Sequence, residues 1–388
     1  MFKEIHTKFE KKETDLYELQ QIDQFSRYIL IRSLSNDHLK KLITNTVRVP
    51  IISGKSESLY EQVFSSSISN DQIILFINKE YPRVKEHRMQ QEAHLPNIIE
   101  QFGDVECGIR NDNLNDTAKN LVRDKTIETK EILDQRIDSL LEGTIKGYLL
   151  WQYYNQVTND LIEHLFNDHV NVIPTLRKIK YIDFMVKVGD KIIPFDLKIT
   201  HISDDYFDQF SQGLTLTKDQ NASDSFTIGN NLKEIEVIKK YYKEKKKILD
   251  LPNYGGLKKF EIIEILQRQT CQDTQIFLES IQRERSNMVM SIKSDLKSVE
   301  WWNYKYQGER LFKNNNRFFV FLAYTNSFKD ARPLKGNLED IAKKVSGKLN
   351  TIANGKFNTN KYYYTKDRGL EGAYKVLSTS ILVTDKIS

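Results

Sequence analysis

Three residues in one short stretch have the types and spacing for metal-assisted chemistry. The segment YIDFMVKVGDKIIPFDLKIT, residues 181 to 200, carries Asp183, Asp196 and Lys198. Gly189-Asp190 near its middle reads as a two-residue hairpin turn, and glycine in the first turn position suits type II′, where φ is positive. Asp183 lies six residues before Gly189, and Asp196 lies six residues after Asp190. A hairpin closed at that turn sets the two acids directly opposite each other.

Alternation along the strands then sorts the side chains. Ile182, Phe184, Val186 and Val188 share one face with Ile193, Phe195, Leu197 and Ile199, while Asp183, Asp196 and Lys198 share the other. Opposed residues in an antiparallel pair have Cβ atoms roughly 4.5–5.5 Å apart, so two carboxylates there repel unless a cation lies between them. Magnesium meets that need, because it takes one or two carboxylates and completes its shell with water and phosphate oxygens. A register slipped by one residue would point the acids at opposite faces and leave an ordinary salt-bridged surface.

Asp183, a spacer of twelve residues and then Asp196-Leu197-Lys198 resemble the motif of the PD-(D/E)XK nuclease superfamily. Within it the chain looks most like a type II restriction endonuclease. The resemblance spans roughly residues 142–212, and Ile182 stands where the motif usually has proline, a variation that the superfamily tolerates. It implies an α/β fold in which a mixed central sheet bears the catalytic β-hairpin, flanked by helices, with helical additions. It implies that Asp183 and Asp196 bind Mg2+ and that Lys198 positions or activates the attacking water. The helix ahead of the hairpin often adds another acid to the metal site. Glu142 and Glu163 are the candidates, and Glu142, beside Gly143 where the backbone can approach closely, is preferred. Gln209 or Gln212, on the helix after the hairpin, would lie near the scissile phosphate.

The implied activity is site-specific hydrolysis of double-stranded DNA to 5′-phosphate and 3′-hydroxyl ends. A homodimer would supply one active site per strand, and a cognate DNA methyltransferase encoded nearby is expected. Two alternatives stand beside this: a PD-(D/E)XK nuclease in phage defence, repair or recombination without strict site specificity, and a non-catalytic DNA-binding protein.

Around the hairpin, apolar spacing predicts helices over much of Asp15 to Leu42 and through a long region from Asp116 to about Phe166, broken near Gly143 or Gly147. Ser53 to Asn70 reads as loop and Ile73 to Ile77 as a short strand. A helix capped by Ser203 is expected after the hairpin. Arg317 to Tyr324 reads as a buried strand of the central sheet, because its apolar run is continuous. Between them lies a lysine-rich arm in which Lys239, Lys240, Lys243 and Lys245 are interleaved with Tyr241 and Tyr242. Lysines there would neutralise DNA phosphates and confer affinity rather than specificity.

With 388 residues the chain can bury a large core. The expected division is a mostly helical region over 1–115, a catalytic core over 116–330 with a basic insertion at about 230–300, and a basic region over 331–388. The chain has 58 Lys+Arg and 53 Asp+Glu, and the excess of basic residues falls entirely after residue 230. A basic half beside an acidic hairpin suits an enzyme that cleaves phosphodiesters. The two cysteines, Cys107 and Cys271, lack metal-ligand spacing, which argues against a disulfide framework or structural zinc and for a reducing, cytoplasmic setting. No Walker A or GxGxxG loop occurs, so a motor driven by ATP is not expected, and no apolar run is long enough to span a membrane.

Overall fold

In the computed structural model, the described residues are 1–11, 16–102, 120–124, 126–127, 129–211, 234–307, 315–364 and 371–385. Gln212 and Cys107 lie outside them. One six-stranded mixed sheet organises the chain: β1 (Ile173–Ile179), β2 (Ile182–Val188), β3 (Lys191–His201), β4 (Arg317–Ala323), β5 (Asn358–Tyr364) and β6 (Gly372–Thr384), in the order β1-β2-β3-β4-β6-β5. β1, β2 and β3 form an antiparallel meander. β3, β4 and β6 run parallel, and β5 closes the far side antiparallel to β6.

β4 is buried at every position, with an uninterrupted apolar run from Phe318 to Ala323, as a strand covered on both faces must be. The sheet continues past residue 330 into β6 and β5, so residues 331–388 supply two of its strands as well as a covering helix.

The helices before the sheet are α1 (Phe2–Lys11), α2 (Leu16–Leu19), α3 (Phe25–Arg32), α4 (Asn36–Leu42), α5 (Ser56–Phe64), α6 (Asn70–Glu92), α7 (Leu95–Gln101), α8 (Lys130–Ser139) and α9 (Lys146–Asn167). Those between β3 and β4 are α10 (Asp204–Ser211), α11 (Glu234–Lys245), α12 (Lys259–Gln267), α13 (Gln272–Ser294) and α14 (Leu296–Trp302), and α15 (Leu338–Ala353) precedes β5. None of them is long and apolar enough to cross a membrane.

Two local expectations are corrected. Ser53 to Asn70 contains α5, and Ile73 to Ile77 lies inside α6 rather than in a strand. Ser69 and Gln72 form a capping box that starts α6, and Ile73 and Ile77, one turn apart, are its buried residues while Leu75 faces solvent. The expected break near Gly143 is a π turn over Leu140–Ile145 that joins α8 to α9.

One face of the sheet packs on α9 and α15. Ile162 and Phe166 with Ile341, Val345 and Leu349 cover Phe184, Val186, Ile193, Phe195, Phe318 and Val320. The opposite face is covered in two parts. Over its outer strands the amino-terminal helices bury Met185 and Ile192, and over its inner strands α10, α13 and α14 bury Phe319, Phe321 and Val376. The face expected to be wet is therefore largely core, and Ile182 packs with the amino-terminal cluster rather than with Phe184.

Polar groups at the joint between helices and sheet are paired. β3 begins before β4 starts beside it, so the Ile192 N–H has no strand partner on that side and donates to Ser26 Oγ at 2.9 Å. Arg27, next to Ser26, donates to the Phe64, Val63, Ser66 and Ile68 carbonyls and so caps the end of α5. Burial of Ile192 under these helices gives a direct test. Ile192→Ala should lower unfolding free energy by about 2–5 kcal/mol in urea titrations. A change within about 0.5 kcal/mol is what a solvent-facing position would give, and it would contradict this packing.

Candidate active site

The register of the hairpin decides whether the two acids meet. Val188 pairs with Lys191, and the ladder runs without interruption to Phe184 opposite Phe195. The next step is Asp183 and Asp196. Gly189 has φ +59° while Asp190 is not among the positive-φ residues, the pattern of a type II′ turn. This is the register that the turn predicts, and the slipped alternative does not occur.

Instead of continuing the ladder, Asp183 uses its side chain. Its Oδ2 accepts the Leu197 N–H at 2.6 Å. Its carbonyl accepts from Thr175 Oγ1 and Asn167 Nδ2, at 3.3 and 3.4 Å, where β1 bulges between Pro174 and Ile179. Burial pushes the Asp183 carboxyl up to about 7. The Leu197 N–H and Lys178 oppose this rise, while the charges of Asp196 and Glu163 add to it.

Asp196 has a different environment. Arg317 Nε donates to its Oδ2 at 3.1 Å, and the two side chains are 6% and 15% exposed. Its backbone N–H donates to the Asn316 carbonyl at 2.9 Å. The two acids are thus electrostatically unequal, since one has a guanidinium against it and the other is buried with a backbone N–H. Lys198, two residues beyond Asp196 on the same face, is exposed.

The polar row continues across the sheet. Asp196 is abreast of Arg317, Arg317 of Ser378, and Ser378 of Asn358. Glu300 from α14 is fully buried over this end and accepts from Ser378 Oγ at 2.6 Å and Asn358 Nδ2 at 2.9 Å. Burial raises its pKa, against the pull of Ser378, Ser380 and Asn358.

The two helix acids diverge. Glu142 lies in the π turn with its side chain 78% exposed and paired with Lys146 at 3.1 Å. Glu163, on α9, is the acid whose charge reaches Asp183, and burial raises its own pKa. The middle of α9 is anchored by Lys335, which donates to Asn155 and Asn159. Among the described residues no group of three His, Cys, Asp or Glu side chains is placed to hold a metal ion. A hydrated magnesium ion needs only one or two carboxylates, and two opposed acids, one of them buried without a cationic hydrogen-bond donor, fit that demand.

The other expected contacts are scattered. Gln209 is half-buried and accepts from Nε1 of the core residue Trp302 at 2.8 Å. On α11, Lys240 and Lys243 are exposed, Lys239 is half-buried, and Lys245 pairs with Asp273 at 3.1 Å. The tyrosines between them are packed: Tyr242 is buried, and Tyr241 stacks on Phe277 with ring centroids 3.8 Å apart. Arg317 and Asn316 were not anticipated as site residues. The available signal was a cationic residue opening an otherwise apolar strand.

The Asp183 environment predicts a pH-dependent cost. Its folded-state pKa lies above the unfolded value of 3.8, so the folded chain holds the extra proton and loses stability as pH rises from about 4 through about 7. The loss is at most about 4 kcal/mol. In EDTA, Asp183→Asn should therefore melt higher than the unmodified chain at pH 8, with the difference shrinking toward pH 4. Equal differences at both pH values would contradict the assigned environment.

No protein-family model, curated protein or solved structure matches this chain.

Proposed function

We propose that the chain is a magnesium-dependent endonuclease of the PD-(D/E)XK kind acting on double-stranded DNA, with the restriction-endonuclease-like fold and the site-specific cleavage of a type II restriction enzyme. The observation that supports it most is the hairpin register, whose ladder reaches Phe184 opposite Phe195, one step short of Asp183 and Asp196, with Lys198 two residues further along β3. A mixed sheet whose antiparallel hairpin feeds into parallel β3, β4 and β6 is compatible with that fold.

In this proposal Asp183 and Asp196 hold Mg2+, and Asp183 gives up its proton to do so. The ion, when bound, polarises the phosphate and lowers the pKa of a water. Lys198 orients the attacking water from the solvent side of β3, and the buried hairpin holds both carboxylates still through the reaction. Glu163, whose charge reaches Asp183, is favoured over the solvated Glu142 as the helix acid of this proposal. Exposed Lys240 and Lys243 contribute phosphate contacts. A homodimer supplies the second cut, and a cognate methyltransferase protects host sites.

Purified protein incubated with unmethylated phage and plasmid DNA should yield discrete fragments with magnesium and none with EDTA. Asp196→Ala should reduce the rate by at least about a hundredfold. A magnesium-dependent smear removed by the same substitution would leave the nuclease and discard site specificity, and intact DNA in every condition would discard cleavage of DNA. The lysines have their own signature. Replacing both Lys240 and Lys243 with alanine should weaken binding evenly across sequences and reduce the log–log salt slope by about 2. An unchanged slope would remove them from the DNA surface.

A further inference from the structure

Arg317 opens β4 directly abreast of Asp196 on β3 and of Ser378 on β6. Residues abreast in a sheet project to the same face, so its side chain enters the same row as the acids. It is held from two sides. Nε donates to Asp196 Oδ2 at 3.1 Å, and the guanidinium carbon lies 5.3 Å from the centroid of the buried Tyr304 ring.

The residue before it fixes its position. Asn316 is fully buried, donates through Nδ2 to the Pro194 carbonyl at 3.0 Å, and accepts the Leu377 N–H through Oδ1 at 3.1 Å. Its carbonyl accepts the Asp196 N–H. One side chain and one carbonyl thus tie β3, β4 and β6 together at the row where Arg317 meets Asp196. Pro194 has no N–H to leave unpaired there, which suits the point where β3 lacks a neighbouring strand.

The charges then decide how many metal ions the row can take. Asp196 already faces Arg317 and, at the solvent end, Lys198, while the charges of Glu163 and Lys178 act on Asp183 in opposite directions. One divalent ion adds two positive charges, which a phosphodiester and a hydroxide offset. A second would sit against Arg317 with no further carboxylate closed around the pair among the described residues. We propose that Arg317 takes the place of a second metal ion: it is the permanent cation of the site, limiting the carboxylate pair to a single divalent ion and lowering its affinity for that ion. This inference rests on the metal site proposed above.

The test is Mn2+ binding to the full chain without DNA, counted by electron paramagnetic resonance and calorimetry, with melting curves to confirm folding. The unmodified chain should bind one Mn2+, and Asp196→Asn should lose it. Arg317→Met should bind Mn2+ at least tenfold more tightly, whereas Arg317→Lys, which keeps the charge, should stay within a few-fold of the unmodified chain. Arg317→Gln replaces the Met variant in this comparison if the latter does not fold. Two ions per unmodified chain, or unchanged or weaker binding once the charge is removed, would overturn the role of Arg317 while leaving the metal site. No Mn2+ on the unmodified chain, or binding indifferent to Asp196→Asn, would remove the metal site and this inference with it.

Discussion

The burial of two neighbouring acids, Asp183 and Asp196, at the end of the hairpin is the constraint on which the surrounding structure bears. Two carboxylates on adjacent strands, largely withdrawn from water, cannot both ionise without compensation. The protein compensates them unequally. Asp196 is given a buried guanidinium, and Asp183 a backbone N–H that only partly offsets burial, which pushes its carboxyl up to about 7, with the charge of Asp196 adding to the rise. One acid is thus offset by a cationic partner while the other is not, and the proposed metal site rests on that difference.

Holding that arrangement requires a rigid frame. The amino-terminal helices bury Met185 and Ile192 on one side of the seam, α13 and α14 bury Phe319 and Phe321 on the other, and α9 with α15 cover the back. Asn316 pins three strands at the row of the acids, and Ser26 closes the hydrogen bond that β3 leaves open before β4 begins. At the far end Glu300, Ser378 and Asn358 keep the row polar and paired inside the core. The strand register, more than any loop, therefore places the two acids, and groups carried on strands are held more closely than groups carried on loops.

Much of this was legible in the sequence where a local rule was strong. Gly189-Asp190 fixes turn type and register together, so the pairing of the hairpin and the approach of its acids follow from counting. The run from Phe318 to Ala323 is apolar at every position and rich in aromatic residues, which favours a strand covered on both faces. Ile73 to Ile77 misled because five consecutive apolar residues carry no period. The readable clue lay just upstream, in Ser69 and Gln72, three residues apart. The second face of the hairpin misled for another reason. What covers Met185 and Ile192 comes from helices more than a hundred residues earlier in the chain, and periodicity within a strand does not carry that information. Glu142 and Glu163 sit on one helical run. Glu163 was distinguishable only by its neighbours Ile162 and Phe166, which mark the turn of α9 that reaches the sheet. Arg317 depends on which strand pairs with β3 and in what register, and no local pattern encodes that choice.

The most direct test of the central claim, that the opposed carboxylates form a cation site, is anomalous diffraction from crystals of the full chain grown with Mn2+. The account predicts one peak within bonding distance of a carboxylate oxygen of both Asp183 and Asp196, with Arg317 still on Asp196. Crystals that diffract well but show no peak there, with the Leu197 N–H and Arg317 still holding the carboxylates, would contradict it.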